Sequence, residues 1–293
     1  MAEPVLLAVR DYDLAATLDS GQAFRWCRVG PHWQGVIGRQ TVRLTPVAGG
    51  ILAATGSPAM DLSLIRHYLQ TDTDLAAIRK TFPDDAPMNA AVAACPGLRL
   101  LRQDPWECLA SFILSATKQI VQIRQIVALL CERFGDPLAP LTPRAGEAPE
   151  TCHAFPTPER LVQAGEAELR ACKMGFRAPH LLGAARAVAE GRLNLESLRA
   201  LDYAAARAQL MTLRGVGGKI ADCVLLFAYG CDQAFPVDVW IERALQEWYF
   251  PRRRASERRL RHFAATHFGP HAGYAQQYLF HHMRTRWPNP TAR

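Results

Sequence analysis

Near residue 80 the hydrophobic pattern of this 293-residue chain changes its period. Before that point, AFRWCRVG, HWQGVIG, QTVRLTP and GILAATG are short runs of aromatic and branched residues, separated by Gly30-Pro31, Gly38 and Gly49-Gly50. Runs of this kind between turn-forming residues predict antiparallel strands in a meander, a sheet with one face available for packing. From about residue 85 onward, apolar residues recur at helical spacing, as in Trp106, Leu109, Ala110 and Ile113. The expected fold is α+β, with an antiparallel β subdomain over residues 1–80 and a larger helical region over 81–293. A composition that is 49% apolar is enough to give both parts a core.

Asp104-Pro105-Trp106-Glu107 has the form of a helix start, with an acidic N-cap, proline at the first helical position and glutamate at the third. Further helices are expected near 120–134, 158–172, 178–190, 202–212, 218–229, 239–249, 257–267 and 271–285. The proline-rich stretch 138–159 reads as a loop or insertion, and the terminal WPNPTAR as a frayed tail.

A net charge of +7 points to a polyanionic partner, with nucleic acid as the first candidate and solubility as the plainer explanation. Only four of the 34 basic residues are lysines (Lys80, Lys118, Lys173 and Lys219). Arginine stays protonated, whereas a desolvated lysine can become a nucleophile, so each of the four is a candidate. The eight cysteines include no Cys-x-x-Cys pair, which argues against a structural zinc site, and none follows Cys231 to ligate an iron–sulfur cluster. No apolar run has the length of a membrane span, and an intracellular, reducing setting is expected.

The stretch LRGVGGKIADC (213–223) concentrates the chemistry. Asp202 caps a short helix, Gly215, Gly217 and Gly218 turn the chain, and a second helix starts near Gly218, giving a helix-hairpin-helix. Small residues let this turn approach another backbone closely, and free N–H groups at a helix start can hold a phosphate without reading a base. An ordinary turn between two helices has the same appearance. On the second helix, Ile220, Cys223, Val224, Phe227 and Ala228 form an apolar stripe, and Lys219 borders it. There, desolvation and the positive end of the helix dipole both favour a free amine able to attack carbon, while phosphate binding is the simpler role. Cys223 taken alone reads as core packing. Downstream, Pro236 fixes a turn and Asp238 is placed to cap the next helix; the same carboxylate can face a developing positive charge on a substrate.

These residues resemble a known family. GVGGKIADC followed by FPVDV is similar to the helix-hairpin-helix signature of DNA glycosylases, and the fuller pattern resembles the 8-oxoguanine DNA glycosylase/lyase branch. SGQAFRW (20–26), LLRQDPWECLASFI (100–113), MGFRA (174–178) and AGYAQQYLF (272–280) all fall in that family's order. The resemblance implies that Lys219 is the nucleophile forming a Schiff base with the sugar, and that Asp238 supports the oxocarbenium-like sugar. It implies that the Gly21 carbonyl accepts the N7 proton that distinguishes 8-oxoguanine from guanine. Gln276 would read the Watson–Crick edge, and Phe280 and Cys223 would cover the two ring faces, with Pro236 also against the base. The i, i+4 spacing of Gln276 and Phe280 puts amide and ring on one helix side, as it would for a core pair. Phe176 and Arg177 match a wedge and a residue near the orphaned base, which help a base leave its stack.

The chain also departs from the pattern. In SATKQIVQI (115–123), Thr117 and Gln122 occupy positions where the common eukaryotic form has an Asn-rich turn and an arginine that contacts the opposite cytosine; Lys118 or Arg124 are the available substitutes. Trp240 replaces a histidine near the lesion's phosphate. The expected partner is double-stranded DNA containing 8-oxoguanine, bound by a monomer, with no redox cofactor and no membrane. A monovalent ion at the hairpin carbonyls and a phosphate-binding role for the arginines of PRRRASERRLR (251–261) stay open. Two other readings fit parts of the sequence: a glycosylase for another lesion, such as an alkylated base, and a catalytically silent DNA-binding module.

Overall fold

The computed structural model describes residues 3–57, 60–116, 118–142, 151–252 and 254–286. The WPNPTAR tail, Thr117 and residues 143–150 of the proline-rich stretch lie outside the described residues. Five antiparallel strands, β1 (Val5–Ala8), β2 (Cys27–Val29), β3 (His32–Ile37), β4 (Gln40–Val47) and β5 (Gly50–Thr55), form one sheet in the order β1-β5-β4-β3-β2. The meander β2–β5 follows the expected runs. β1 adds a strand that the sequence pattern did not signal, because four residues are too few to display alternation; it pairs Leu7 with Ile51.

Alternation sorts the sheet into two faces. Trp33, Ile37, Val42, Leu44, Ile51 and Ala53 point to a core shared with α1 (Leu14–Asp19) and α2 (Leu62–Leu69). Trp26 closes this core: its ring lies over Gly35, where a Cβ would come within 2.5 Å, and its indole N–H donates to the Tyr68 hydroxyl at 2.9 Å. Part of the opposite face is covered too. The Thr41 hydroxyl donates to the Ala139 carbonyl at 2.6 Å, and Arg43 donates to the Thr142 carbonyl, so the start of the proline-rich insertion lies across β4.

The remaining helices are α3 (Leu75–Arg79), α4 (Ala86–Ala94), α5 (Pro105–Ser115), α6 (Ile120–Phe134), α7 (Pro158–Leu169), α8 (Ala178–Ala189), α9 (Tyr203–Leu210), α10 (Gly218–Val224), α11 (Val239–Trp248), α12 (Glu257–His267) and α13 (Ala272–Arg286). Helix therefore begins earlier than residue 85, since α2 and α3 are short and their periodicity is hidden among polar residues. The expected caps hold: Asp104 accepts from the Glu107 amide and Asp202 from the Ala205 amide, both at 2.8 Å. Gly165, at φ +75°, breaks α7 internally.

The helical body has its own apolar core built on α5, α8, α10 and α13, and the two cores interlock. Ala16 and Phe24 from the sheet side join the helical core, while Leu101 joins the sheet core. Helix α10 continues into a π-turn over Leu225–Tyr229. Its Leu226 and Phe227 carbonyls accept from the Arg102 guanidinium at 3.0 Å and from the Gln103 amide at 2.8 Å, partners outside the helix. Among the described residues no helix is long and apolar enough to cross a membrane.

Candidate active site

A cavity of about 910 Å³ opens between the Gly21 turn, the end of α5, the start of α6, α10, α11 and α13. Gly21, Lys118, Lys219, Cys223, Pro236, Asp238, Trp240, Gln276 and Phe280 all line it, although they come from five separate stretches of sequence. The floor is aromatic. Phe112 stacks on Phe227 with centroids 5.5 Å apart and meets Phe24 edge-on at 5.6 Å.

Lys219 enters from the first turn of α10. Its Nζ lies 5.4 Å above the Phe112 ring centroid and donates to the Ser115 hydroxyl at 3.2 Å. Ser115 in turn donates to the Phe112 carbonyl at 2.7 Å, which turns a lone pair toward the amine. The sequence pattern did not single out Ser115.

Asp238 caps α11: its Oδ1 accepts from the amides of Ile241 at 2.9 Å and Trp240 at 3.1 Å. Burial pushes its carboxyl above the ordinary aspartate value, opposed by the Ile241 amide, by the charge of Lys219 and by the Trp240 amide. The amine and the carboxylate therefore line one cavity, where low solvation makes the carboxylate charge act strongly on whatever lies near it. Burial pushes the Cys223 thiol up to about 12 despite Lys219 nearby, so it stays protonated and serves as an apolar wall.

Gln276 is 4% exposed, and its amide oxygen has no hydrogen-bond partner among the described residues. A buried unsatisfied carbonyl costs about 1–3 kcal/mol, which the fold bears where a ligand donor will complete it. Phe280, one turn further along α13, lies against the Gly21 turn. Gly21 has φ +78°, and a Cβ there would approach the Ile120 side chain to 2.7 Å and the Phe280 ring to 3.4 Å. Both the backbone angle and the space require glycine.

The turn is fixed from beneath. The Gln22 side chain donates to the Thr17 and Arg99 carbonyls, each at 2.9 Å, and accepts from the Leu101 amide at 2.8 Å. Gln277 donates to the Ser20 carbonyl at 2.9 Å, and Gln103 to the Gln22 carbonyl at 2.6 Å. Gln22 lies inside SGQAFRW and could have been noticed; Gln103 and Gln277 look like ordinary polar residues in the sequence.

The hairpin lies beside the cavity. Gly215 has φ +89°, and its missing Cβ leaves room for the His180 ring; a Cβ on Gly218 would meet the Arg207 guanidinium. Gly217 is extended, with open space around it. Buried Asp222 ties the two hairpin helices together by accepting from Arg207 at 2.7 Å and from the Tyr203 hydroxyl at 2.8 Å.

The duplex-facing candidates divide. Phe176 is 59% exposed at the tip of a turn in which Lys173 and Gly175 both have positive φ. Arg177 beside it is 2% exposed, donates to the Ala116 carbonyl and stacks on Phe176 with 4.2 Å to the centroid. Gln122 is exposed, lies off the cavity wall and accepts from the Gln119 amide at 3.2 Å. Arg124 also lines the cavity, where its guanidinium is held on Asp19, to which it donates at 2.7 Å, while Lys118 stands beside it on the same wall. Arg259, from the basic stretch, stacks on Phe250 at 4.9 Å.

The fold and site are those of an enzyme that works on extruded bases, and the sequence comparisons agree. Residues 110–268 match the family described as the HhH-GPD superfamily base excision DNA repair protein, and residues 4–109 match the 8-oxoguanine DNA glycosylase N-terminal domain. The chain belongs to the HhH-GPD superfamily of base excision DNA repair proteins, in the branch carrying that N-terminal domain. It is 30% identical to a probable N-glycosylase/DNA lyase of Methanothermobacter thermautotrophicus, over 95% of each chain. The 8-oxoguanine glycosylase/lyase of Clostridium acetobutylicum, solved with double-stranded DNA containing cytosine opposite 8-oxoG, superposes with a TM-score of 0.86 at 30% identity, covering 94% of this chain and 93% of that one. A 3-methyladenine DNA-glycosylase from Archaeoglobus fulgidus shares the fold at a TM-score of 0.75 and 22% identity, over 97% and 99% of the two chains.

Proposed function

We propose that this chain is a bifunctional DNA glycosylase that removes 8-oxoguanine from duplex DNA and nicks the strand, acting as a monomer. A base inside a duplex is out of reach of any side chain, so the target nucleotide must be extruded into the cavity. The exposed Phe176 ring fills the space it leaves, propped by Arg177. The base then lies between Phe280 and Cys223, with Pro236 at its edge and Gln276 completing its unpaired amide oxygen against the Watson–Crick face. The Gly21 carbonyl accepts the N7 proton that guanine lacks.

Lys219 attacks the anomeric carbon. Its nitrogen forms a bond to C1′ as the C1′–N9 bond breaks, and the electron pair leaves with the base, which takes up a proton. Asp238 carries negative charge beside the sugar as positive charge develops there, the moment at which such stabilisation acts. The C1′–O4′ bond then breaks as the nitrogen's proton passes to O4′, opening the sugar ring to the protonated Schiff base, and removal of a C2′ proton expels the 3′ phosphate by β-elimination. The hairpin around Gly215, Gly217 and Gly218, together with Lys118 and Trp240, provides the phosphate contacts that fix register without reading sequence.

The observation that carries this reading is the joint presence, in one cavity, of an amine, a carboxylate and an unpaired buried amide. The test is borohydride trapping on a duplex containing 8-oxoguanine. A covalent adduct that disappears in Lys219→Gln is expected. No adduct with base release intact would make the enzyme monofunctional; adduct formation on alkylated but not oxidised bases would reassign the lesion.

A further inference from the structure

The turn that presents the Gly21 carbonyl is held from three directions. Gln22 fixes it from below, within the core. Helix α13 holds it through Gln277 on the Ser20 carbonyl and Arg284 on the Asp19 carbonyl. The third hold comes from α6, whose Arg124 guanidinium donates to the Asp19 carboxylate at 2.7 Å.

This third hold is of a different kind. The first two rest on the buried side chains of Gln22 and Gln277, with Arg284 half-buried beside them, whereas the side chains of the Arg124–Asp19 pair are 28% and 47% exposed. A pair so open to water adds little to stability. It also stands in a wall: Asp19, Arg124 and His281 line both the main cavity and a second one of about 420 Å³ behind it. The helix that supplies Arg124 starts at Ile120, directly after Lys118 and Gln119 at the cavity mouth, so a duplex that presses on this segment presses on α6. Burial and the neighbouring Arg284 charge push His281 below the ordinary histidine value, so near neutral pH it does not compete with Arg124 for Asp19.

We propose that Arg124 and Asp19 are positioning residues that couple the duplex-facing start of α6 to the Gly21 turn and so tune base recognition, without taking part in the chemistry at the sugar. The inference rests on the proposed base-reading role of Gly21.

The test separates reading from chemistry by using two substrates. A duplex carrying 8-oxoguanine requires base recognition; a duplex with a preformed abasic site requires only imine formation and elimination. Arg124→Ala and Asp19→Asn are each expected to slow single-turnover excision of 8-oxoguanine roughly ten- to a hundred-fold, the scale of a small misplacement of a reacting group. Nicking of the abasic duplex is expected to stay within about twofold, the double variant to be no slower than either single one, and Arg124→Lys to recover most of the excision rate. Equal losses on both substrates, or no loss on 8-oxoguanine, would overturn the proposal. Wild-type protein that nicks abasic DNA but leaves 8-oxoguanine in place would overturn the assignment of the lesion instead. If Asp19→Asn does not fold, the two Arg124 variants decide the matter.

Discussion

The Lys219 amine is 3.2 Å from the Ser115 hydroxyl, which itself donates into the last turn of α5. The serine thus aims the amine while the Phe112 ring supports it. Ser115→Ala keeps the amine over the ring but removes its fixed direction, a loss of about 1 kcal/mol. Borohydride adduct formation in single turnover is expected to slow by roughly fivefold, against complete loss in Lys219→Gln. An unchanged rate would mean that the serine bond is incidental.

Asp238 has two separable roles. Asn is as good a helix cap as Asp, so Asp238→Asn should shift unfolding free energy by no more than a few tenths of a kcal/mol, whereas Asp238→Ala should cost about 1 kcal/mol. Both should lose most of the excision rate, because both lose the charge. Denaturant unfolding in parallel with kinetics separates the two effects.

The raised carboxyl of Asp238 also fixes a pH trend. Because the folded state holds this proton more tightly than the unfolded chain does, its contribution to stability is fully present below the unfolded value and is lost as pH rises through the folded one. Activity runs the other way, since the ionised form is the useful one. Excision should therefore fall on acidification at a pH above the usual aspartate range. An acid limb at the pH of an unperturbed aspartate would contradict this.

Gln276 predicts a trade between stability and function. Replacing it with the similarly sized Met removes a buried, unpaired carbonyl and should stabilise the free protein by about 1 kcal/mol, read as a higher Tm. The same change should reduce 8-oxoguanine excision at least roughly tenfold, since the base edge loses its partner. A lower Tm together with unchanged excision would reverse both halves of the argument.

With Gln122 engaged in the first turn of α6 and Arg124 on Asp19, little beyond Lys118 is left to read the opposite base. Excision measured with each of the four bases opposite 8-oxoguanine should show at most a several-fold preference for cytosine, worth about 1 kcal/mol. Strict dependence on cytosine would show that a contact forms only once DNA is bound.

Much of this was legible in the sequence because it followed local rules. The β2–β5 meander came from turn residues and alternation, and the caps at Asp104, Asp202 and Asp238 came from side chains that satisfy amides three positions on. The cavity's lysine, carboxylate and glutamine were found through motif order. What was hidden depends on contacts between distant segments. β1 needs β5 to exist, the outer sheet face is covered by a loop nearly 100 positions away in the chain, and Arg124 meets Asp19 across 105. Arg177 illustrates the limit most clearly: the resemblance implied a residue near the orphaned base, and only the fold shows its side chain buried and stacked on Phe176.

Gln103 joins the two halves of the pocket. Its main-chain N–H holds the Phe227 carbonyl, in the π-turn that continues the helix carrying Lys219, and its side-chain amide holds the Gln22 carbonyl, next to Gly21. Bond-making and lesion-reading are therefore gauged from one residue, so thermal breathing between sheet and helices would carry both together rather than pull them apart.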